Sequence, residues 1–215
     1  IIVDTGSIDS TQKIAARYTS KLYSFPWNSD FAAARNFSFS KATMEYIYTA
    51  DADEILDDAN RERFLRLKGA LLPEIEIVQM KYVTQGTFDT VLNAKKEYRP
   101  KLFRRLRTFT WIDPIHETVR LTPVTFDSDV EILHCPQSLH SKRDFSIFIK
   151  AFEHDGQFSP KIRTMYAKEL LKTGDKKDFT DAKPIFQLIF DNDPADDARK
   201  EAACVLARIY RMEDN

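Results

Sequence analysis

The sequence predicts an α/β fold built on a mixed β-sheet, followed by a segment made only of helices. Over residues 1–48, short apolar runs alternate with helix-like stretches in the order β-α-β-α-β, which is typical of a parallel sheet with helices on both faces. Between 75 and 134, short runs rich in β-branched and aromatic residues follow one another closely. They predict antiparallel strands added to that sheet. After 141 the sequence carries only helical patterns.

Capping and turn signals separate the predicted elements. Asp30 is placed to cap the helix that follows it, and the Thr-Gly-Asp sequence at 173–175 marks the end of a later helix. We predict strands at 1–3, 21–25, 46–48, 75–83, 98–103, 108–112, 116–121 and 130–134. We predict helices at 11–18, 31–41, 59–71, 144–153, 159–172, 178–190 and 195–212.

The change of pattern near residue 140 predicts two domains, 1–140 and 141–215. The predicted helix pairs of the second domain resemble tetratricopeptide-like hairpins. The chain begins at Ile1 inside an apolar strand, without an initiator Met. We therefore expect it to be part of a longer protein.

Composition excludes two classes of partner. Lys and Arg number 32 against 33 Asp and Glu, so no overall basic field would attract nucleic acid. No apolar run is long enough to span a membrane, and no signal peptide is visible. Cys135 and Cys204 lie far apart in sequence, which favours reduced thiols. We expect a cytoplasmic protein, either free or peripheral to the inner face of the membrane.

The strand Tyr46–Tyr48 is followed almost at once by acidic side chains. Asp51 and Asp53 come where this strand, which we expect to be central in the sheet, should reach solvent. On an extended backbone their side chains share one side. Two converging carboxylates suit Mg²⁺ or Mn²⁺. A strand ending in an ordinary acidic turn is the alternative.

Two further residues are candidates for the same edge of the sheet. Asp4 ends the first strand as Asp51 follows the third, although helix capping would also explain it. Arg35 lies in an otherwise apolar helical stretch and needs an anionic partner, which a phosphate or one of these acids would provide. An ordinary surface arginine is the alternative.

Later segments supply a candidate base and a candidate third metal ligand. Glu117 follows a loop shaped by Pro114, and a carboxylate near a substrate hydroxyl can act as general base. An exposed strand residue is the alternative. His134 ends a strand and could complete a carboxylate-bound metal site, or be a structural histidine. The basic residues between 99 and 107 are either a solvated strand edge or a contact for phosphate.

Three motifs together resemble the family 2 glycosyltransferases. They are Val-Asp-Thr-Gly-Ser-Ile-Asp at 3–9, Phe-Ala-Ala-Ala-Arg-Asn at 31–36 and Asp-Ala-Asp-Glu at 51–54. Leu-Phe-Arg at 102–104 and Ile-His-Glu at 115–117 resemble the branch that contains bacterial lipopolysaccharide core and bacteriocin glycosyltransferases. Some members of that branch carry tetratricopeptide-like helices after the catalytic domain.

The resemblance implies a GT-A (Rossmann-like) fold and an inverting, metal-assisted transfer. Asp4 is similar to the acid that contacts the donor nucleoside, and Arg35 to a basic residue near the diphosphate. Asp51 and Asp53 resemble the Asp-x-Asp pair that binds Mn²⁺ or Mg²⁺, with His134 as a further ligand. Glu117 would be the base. The implied donor is a nucleotide-sugar, here a UDP-sugar, and the acceptor a glycan, a lipid-linked group or a peptide.

The resemblance also has a gap at its start. Family members have another strand and helix before the 3–9 motif, so we expect an N-terminally truncated domain that binds its donor poorly. A second hypothesis follows, in which the chain is a non-catalytic interaction module with a degenerate transferase domain and a partner-binding helical region. A Mg²⁺-dependent nucleotidyltransferase is a third, but its usual Gly-rich, basic phosphate loop is not visible.

Overall fold

The structure is a computed structural model, and it describes residues 1–84, 96–105, 111–116, 118–119, 123–135 and 141–213. The helices are α1 (Thr11–Ala15), α2 (Phe31–Lys41), α3 (Asp58–Ala70), α4 (Ser141–Asp155), α5 (Pro160–Thr173), α6 (Lys176–Asn192) and α7 (Asp196–Glu213). The strands are β1 (Ile2–Asp4), β2 (Leu22–Ser24), β3 (Tyr46–Tyr48), β4 (Glu54–Ile55), β5 (Ile77–Thr84), β6 (Lys96–Arg104), β7 (Trp111–Ile112), β8 (Thr118–Val119) and β9 (Thr125–His134).

The largest sheet is mixed, as predicted. Its strands lie in the order β3-β6-β5-β9-β4. β5 pairs antiparallel with β6 and parallel with β9. Two smaller sheets consist of β1 with β2 and of β7 with β8. Together with the helices beyond 141, this confirms the predicted fold class of a mixed α/β part followed by a helical segment.

The prediction that the first three strands share one parallel sheet is wrong. β1 and β2 do pair in parallel. β3 instead pairs antiparallel with β6, with Tyr46 opposite Arg104. Within the described residues it is an edge strand rather than a central one. The apolar pattern of a strand shows that its side chains pack against others, but the backbone hydrogen bonds that choose its neighbour leave no trace in that pattern.

Alternation along the central strands builds the core of the large sheet. Val78, Met80 and Tyr82 of β5 are buried on one face, and Val130 and Ile132 of β9 join them. Burying each such aliphatic side chain contributes roughly 1.5–3 kcal/mol. This shared core stabilises the pairing of β5 with β9, and β9 ends at His134.

Helix α3 is attached to β9 through a buried asparagine. Asp57 caps the helix by accepting a hydrogen bond from the backbone N–H of Asn60 at 2.8 Å. The buried Asn60 side chain then accepts the N–H of Glu131 at 2.9 Å. The capped N-terminal turn of α3 is thus joined to strand β9 by a hydrogen bond.

The helical segment has well-defined ends and an aromatic core. Asp175 and Asp178 form a capping box at the start of α6, and Ser159 caps α5, whose first residue is Pro160. In the interior, Phe148 stacks on the fully buried Tyr166 with ring centroids 4.7 Å apart. Local capping and this core together explain why the predicted helices form.

The chain divides into two compact units, each made of several segments. The first comprises Ile1–Phe25, Arg35–Trp111 and Val119–Leu139, and the second comprises Pro26–Ala34, Ile112–Thr118 and His140–Asn215. The second unit therefore contains more than the helical segment, and Ile115 lies buried in its core. The domain boundaries 1–140 and 141–215 stay a prediction. Among the described residues, no helix has the length and apolar character needed to cross a membrane.

Candidate active site

The acidic motif lies in a tight turn between β3 and β4. The carbonyl of Asp51 accepts the N–H of Glu54 at 3.1 Å, and the N–H of Asp51 donates to Glu54 Oε2 at 3.2 Å. Ala52 and Asp53 form the turn itself. The backbone is therefore not extended here, and the prediction that alternation sets Asp51 and Asp53 on one side is wrong. Their carboxylates have different partners.

Asp51 is held by two cations. Arg35 Nη2 lies 3.2 Å from both of its carboxylate oxygens, and Lys101 Nζ lies 3.8 Å from Oδ2. Burial would raise the pKa of Asp51, but the charges of Arg35 and Lys101 outweigh it and lower that pKa. The expectation that Arg35 needs an anionic partner is confirmed, and the partner is Asp51.

The position of Arg35 is fixed from α2. Its guanidinium carbon lies 5.2 Å from the centre of the Trp111 ring, which is a cation–π distance. The neighbouring Asn36 holds the backbone of that tryptophan, because its side-chain amide donates to the Trp111 carbonyl at 3.0 Å and accepts the backbone N–H of Trp111 at 2.9 Å. Consecutive residues of one helix thus hold both the guanidinium and the ring beside it.

A buried ion pair links the end of the turn to strand β6. Lys101 Nζ donates to Glu54 Oε1, and the side chains are only 6% and 2% exposed. Burial raises the pKa of Glu54 even though Lys101 opposes the shift. Sequence reasoning placed Lys101 either on a solvated strand edge or in a phosphate contact, and the first of these is wrong. The sequence around Lys101 carries other basic residues, such as Arg99 and Arg104, so it gave no signal that this lysine is buried.

Asp53 meets His134, although 81 positions separate them in the chain. His134 Nε2 lies 3.1 Å from Asp53 Oδ2. The antiparallel pairing of β4 with β9 causes this, since Glu54 is opposite His134 and the N–H of Cys135 donates to the Asp53 carbonyl at 2.9 Å. Within the described part of the chain, His134 Nδ1 is buried and has no hydrogen-bond partner.

The Asp53–His134 pair has a spacing that suits a shared divalent ion. Two ligands at roughly 2.1 Å from an octahedral ion and at right angles to each other lie about 3.0 Å apart. The observed 3.1 Å between Oδ2 and Nε2 matches this separation and equally permits a hydrogen bond. Across the described residues, no group of three or more His, Cys, Asp or Glu side chains could hold a metal ion. The pair therefore offers two ligands, and substrate or water would supply the others.

Asp4 organises the turn after β1. Its carboxylate accepts the N–H groups of Gly6 and Ser7 at 3.2 and 3.1 Å and the side-chain amide of Gln12 at 2.8 Å. The hydrogen bonds from Ser7 and Gln12 lower the pKa of Asp4. Gly6 has φ +114°, which favours glycine. A small cavity of about 180 Å³ borders Asp4 and Gln12 and extends along β2.

Comparison with known proteins identifies the family of this chain. The family model described as "Glycosyl transferase family 2" matches residues 1–122, which is more than half of the 215 residues. The chain belongs to glycosyl transferase family 2. A TPR repeat-containing protein of Synechococcus elongatus is 46% identical over 56 residues. That alignment covers 26% of this chain and 14% of the relative.

Membership of this family accords with the motifs at 3–9, 31–36 and 51–54, which all lie inside the matched region. Within it, the structure brings Arg35 to Asp51. Just beyond it, the structure brings His134 to Asp53. Glu117 lies outside the described residues, and its role as base stays a prediction. The Lys101–Glu54 pair was not predicted, because the two residues meet only through strand pairing.

Proposed function

We propose that this chain carries the donor site of an inverting, metal-assisted glycosyltransferase that uses a UDP-sugar. The sugar would pass to an acceptor hydroxyl or another nucleophile. The observation that carries the proposal is the 3.1 Å approach of Asp53 to His134, two residues along the same turn from the Asp51 carboxylate that contacts Arg35 and Lys101. Candidate metal ligands and two cations that meet the acidic side chains of this turn form a site suited to a nucleoside diphosphate.

Asp53 and His134 would hold Mn²⁺ or Mg²⁺ through Oδ2 and Nε2. When bound, such an ion offsets the negative charge of a departing diphosphate. Asp51 would serve mainly as the anchor of the site's cations, because its oxygens already face Arg35 and Lys101. Held in this way, Arg35 would present its guanidinium to a phosphate without having to be ordered at the moment of binding.

Charge balance supports the same assignment. Asp51, Asp53 and Glu54 carry three negative charges when ionised, and Arg35 and Lys101 carry two positive ones. The cluster is therefore close to neutral, at one negative charge with His134 uncharged. A divalent ion would make it positive, so that the donor diphosphate and the ion would each favour the binding of the other.

The acceptor side of the proposal rests on the family resemblance. Glu117 would deprotonate the acceptor, which would be a glycan, a lipid-linked group or a peptide. Asp4 would contact the donor nucleoside, where the cavity beside Gln12 leaves space. The chain would act in the bacterial cytoplasm, in the branch that resembles lipopolysaccharide core and bacteriocin glycosyltransferases, with α4 to α7 as its tetratricopeptide-like region.

Metal binding tests the proposal directly. Asp53→Asn and His134→Gln should each weaken Mn²⁺ binding at least tenfold in a titration followed by electron paramagnetic resonance, since each removes one of two protein ligands. UDP should bind more tightly with Mn²⁺ present in the unchanged protein only. His154→Gln is the matched control, because that histidine is 85% exposed and its ring nitrogen pairs with its neighbour Asp155.

Two outcomes would contradict the proposal. Unchanged Mn²⁺ affinity in both variants would remove the metal site from Asp53 and His134. Absence of any Mn²⁺-dependent UDP binding in the unchanged protein would favour the alternative, a non-catalytic interaction module. Donor hydrolysis measured with UDP-sugars in the same samples separates a weak enzyme from such a module.

A further inference from the structure

The ring of Tyr82 on β5 packs against the proposed metal ligand His134. The two ring centroids lie 5.0 Å apart at an interplanar angle of 33°. Strand register explains the contact, because Tyr82 pairs with Ile132 on β9, and His134 follows two residues later on the same face of the sheet. Tyr82 is itself 3% exposed. A buried aromatic ring therefore lies against the imidazole that the metal site would use.

The imidazole of His134 lacks the hydrogen bond that usually orients a metal-binding histidine. Such a histidine normally donates its second ring N–H to an acceptor. Within the stretches of chain that the structure describes, Nδ1 of His134 is buried and has no hydrogen-bond partner. Its Nε2 lies 3.1 Å from Asp53 Oδ2, but an ion bound at both atoms would replace any hydrogen bond between them. The direction of the imidazole would then depend on how its ring is packed.

Two cations of β6 also contact the Tyr82 ring. The guanidinium carbon of Arg99 lies 3.9 Å from the ring centre and Lys101 Nζ lies 5.3 Å from it, which are cation–π distances. Each cation has an acidic partner, Glu97 for Arg99 and Glu54 for Lys101. β6 and β9 are the neighbours of β5 on its two sides, so the cations and the imidazole reach the ring from opposite directions. The ring is therefore held by contacts with both neighbouring strands.

We propose that Tyr82 is a positioning residue of the metal site. Its ring keeps the imidazole of His134 turned so that Nε2 faces Asp53, in place of the missing hydrogen bond at Nδ1. This inference rests on the proposed function, in which His134 and Asp53 bind the ion. All three residues lie in the first compact unit. Tyr82 thus acts through His134 and is not itself a ligand.

The first test measures the mobility of the His134 ring in the unchanged, metal-free protein. With histidine labelled by ¹³C at Cε1, NMR relaxation gives an order parameter for each imidazole, and the spectrum of His134→Gln assigns the signal. We expect a value of about 0.85, that of a rigid group, for His134 and one below about 0.6 for the exposed His154. A value below about 0.6 for His134 would overturn the proposal, because the ring would not be held.

The second test compares substitutions that keep or remove the aromatic ring. Tyr82→Phe keeps it, whereas Tyr82→Leu does not, and Tyr82→Met replaces the leucine variant if that one does not fold. Tyr46→Leu is the matched control, because Tyr46 packs against the same core. It lies opposite Arg104, whereas Tyr82 lies opposite Glu97 at the other end of β6. We expect the His134 order parameter to fall below about 0.6 only where the Tyr82 ring is removed.

Mn²⁺ binding decides whether the fixed ring serves the metal site. In the electron paramagnetic resonance titration, Tyr82→Leu should bind Mn²⁺ about tenfold more weakly, whereas Tyr82→Phe and Tyr46→Leu should stay within about twofold of the unchanged protein. Equal losses in the phenylalanine and leucine variants would overturn the role of the ring. Unchanged Mn²⁺ affinity in Tyr82→Leu would overturn it as well.

The NMR comparison separates failure of this inference from failure of the proposed function. If the unchanged protein binds no Mn²⁺, the proposed metal site fails and the positioning role fails with it. The order parameters then still decide whether Tyr82 holds the His134 ring. If the unchanged protein binds Mn²⁺ and the His134 ring stays rigid in Tyr82→Leu, the metal site stands and the positioning role is overturned.

Discussion

Replacing Lys101 by Met should strongly destabilise the first unit, because it leaves Glu54 ionised in the interior. The side chains of Lys101 and Glu54 are 6% and 2% exposed, so neither can be solvated in place. Removing one partner of a buried ion pair typically costs about 3–5 kcal/mol. We expect the lower end, about 3 kcal/mol, because Glu54 Oε2 still accepts the N–H of Asp51.

The effect should depend on pH in a defined direction. Burial already raises the pKa of Glu54 above its usual value of 4.5, and the loss of Lys101 would raise it further. An acid whose pKa is higher in the folded protein destabilises that state as the pH rises above 4.5. The Lys101→Met penalty should therefore be small near pH 4.5 and largest at neutral pH. The double variant Lys101→Met/Glu54→Gln removes both charges and should recover most of the loss.

Urea denaturation followed by tryptophan fluorescence measures the stability of the first unit, which contains Lys101 and Glu54. The chain has two tryptophans, and a Trp27→Phe background leaves the buried Trp111 as the reporter of the first unit. Lys68→Met on α3 is the control, since that lysine is exposed. A stability loss below about 1 kcal/mol at pH 7.5 that is no smaller at pH 5 would refute the account of a buried, mutually dependent pair.

The helical segment supports two further predictions. The Tyr166 hydroxyl is buried and has no partner among the described residues. Tyr166→Phe should therefore leave stability unchanged or raise it by up to about 1 kcal/mol, measured by thermal unfolding followed by circular dichroism. A loss of more than about 1 kcal/mol would indicate that the hydroxyl has a partner. Asp175→Ala removes the capping box of α6 and should cost about 1 kcal/mol in the same measurement, whereas an unchanged midpoint would show that the cap does not limit stability.

Several elements follow from local sequence alone. The apolar stretch after Asp30 predicted the helix at 31–41, and α2 is Phe31–Lys41. The Thr-Gly-Asp signal at 173–175 likewise marks the end of α5 and the cap of α6. Periodicity and capping act over one or two helical turns, so the chain near each residue contains the information. The family motifs are equally local, and they predicted the family that the comparison confirmed.

The partners of the site residues depend on tertiary structure. Glu54 and Lys101 are 47 positions apart, and Asp53 and His134 are 81 apart. They meet because β4 pairs with β9 and β3 with β6, and those pairings are chosen by backbone hydrogen bonds that every residue type except proline offers alike. The sequence by itself therefore determined which residues carry charge and chemistry in this protein, and the strand pairing decided which of them face one another.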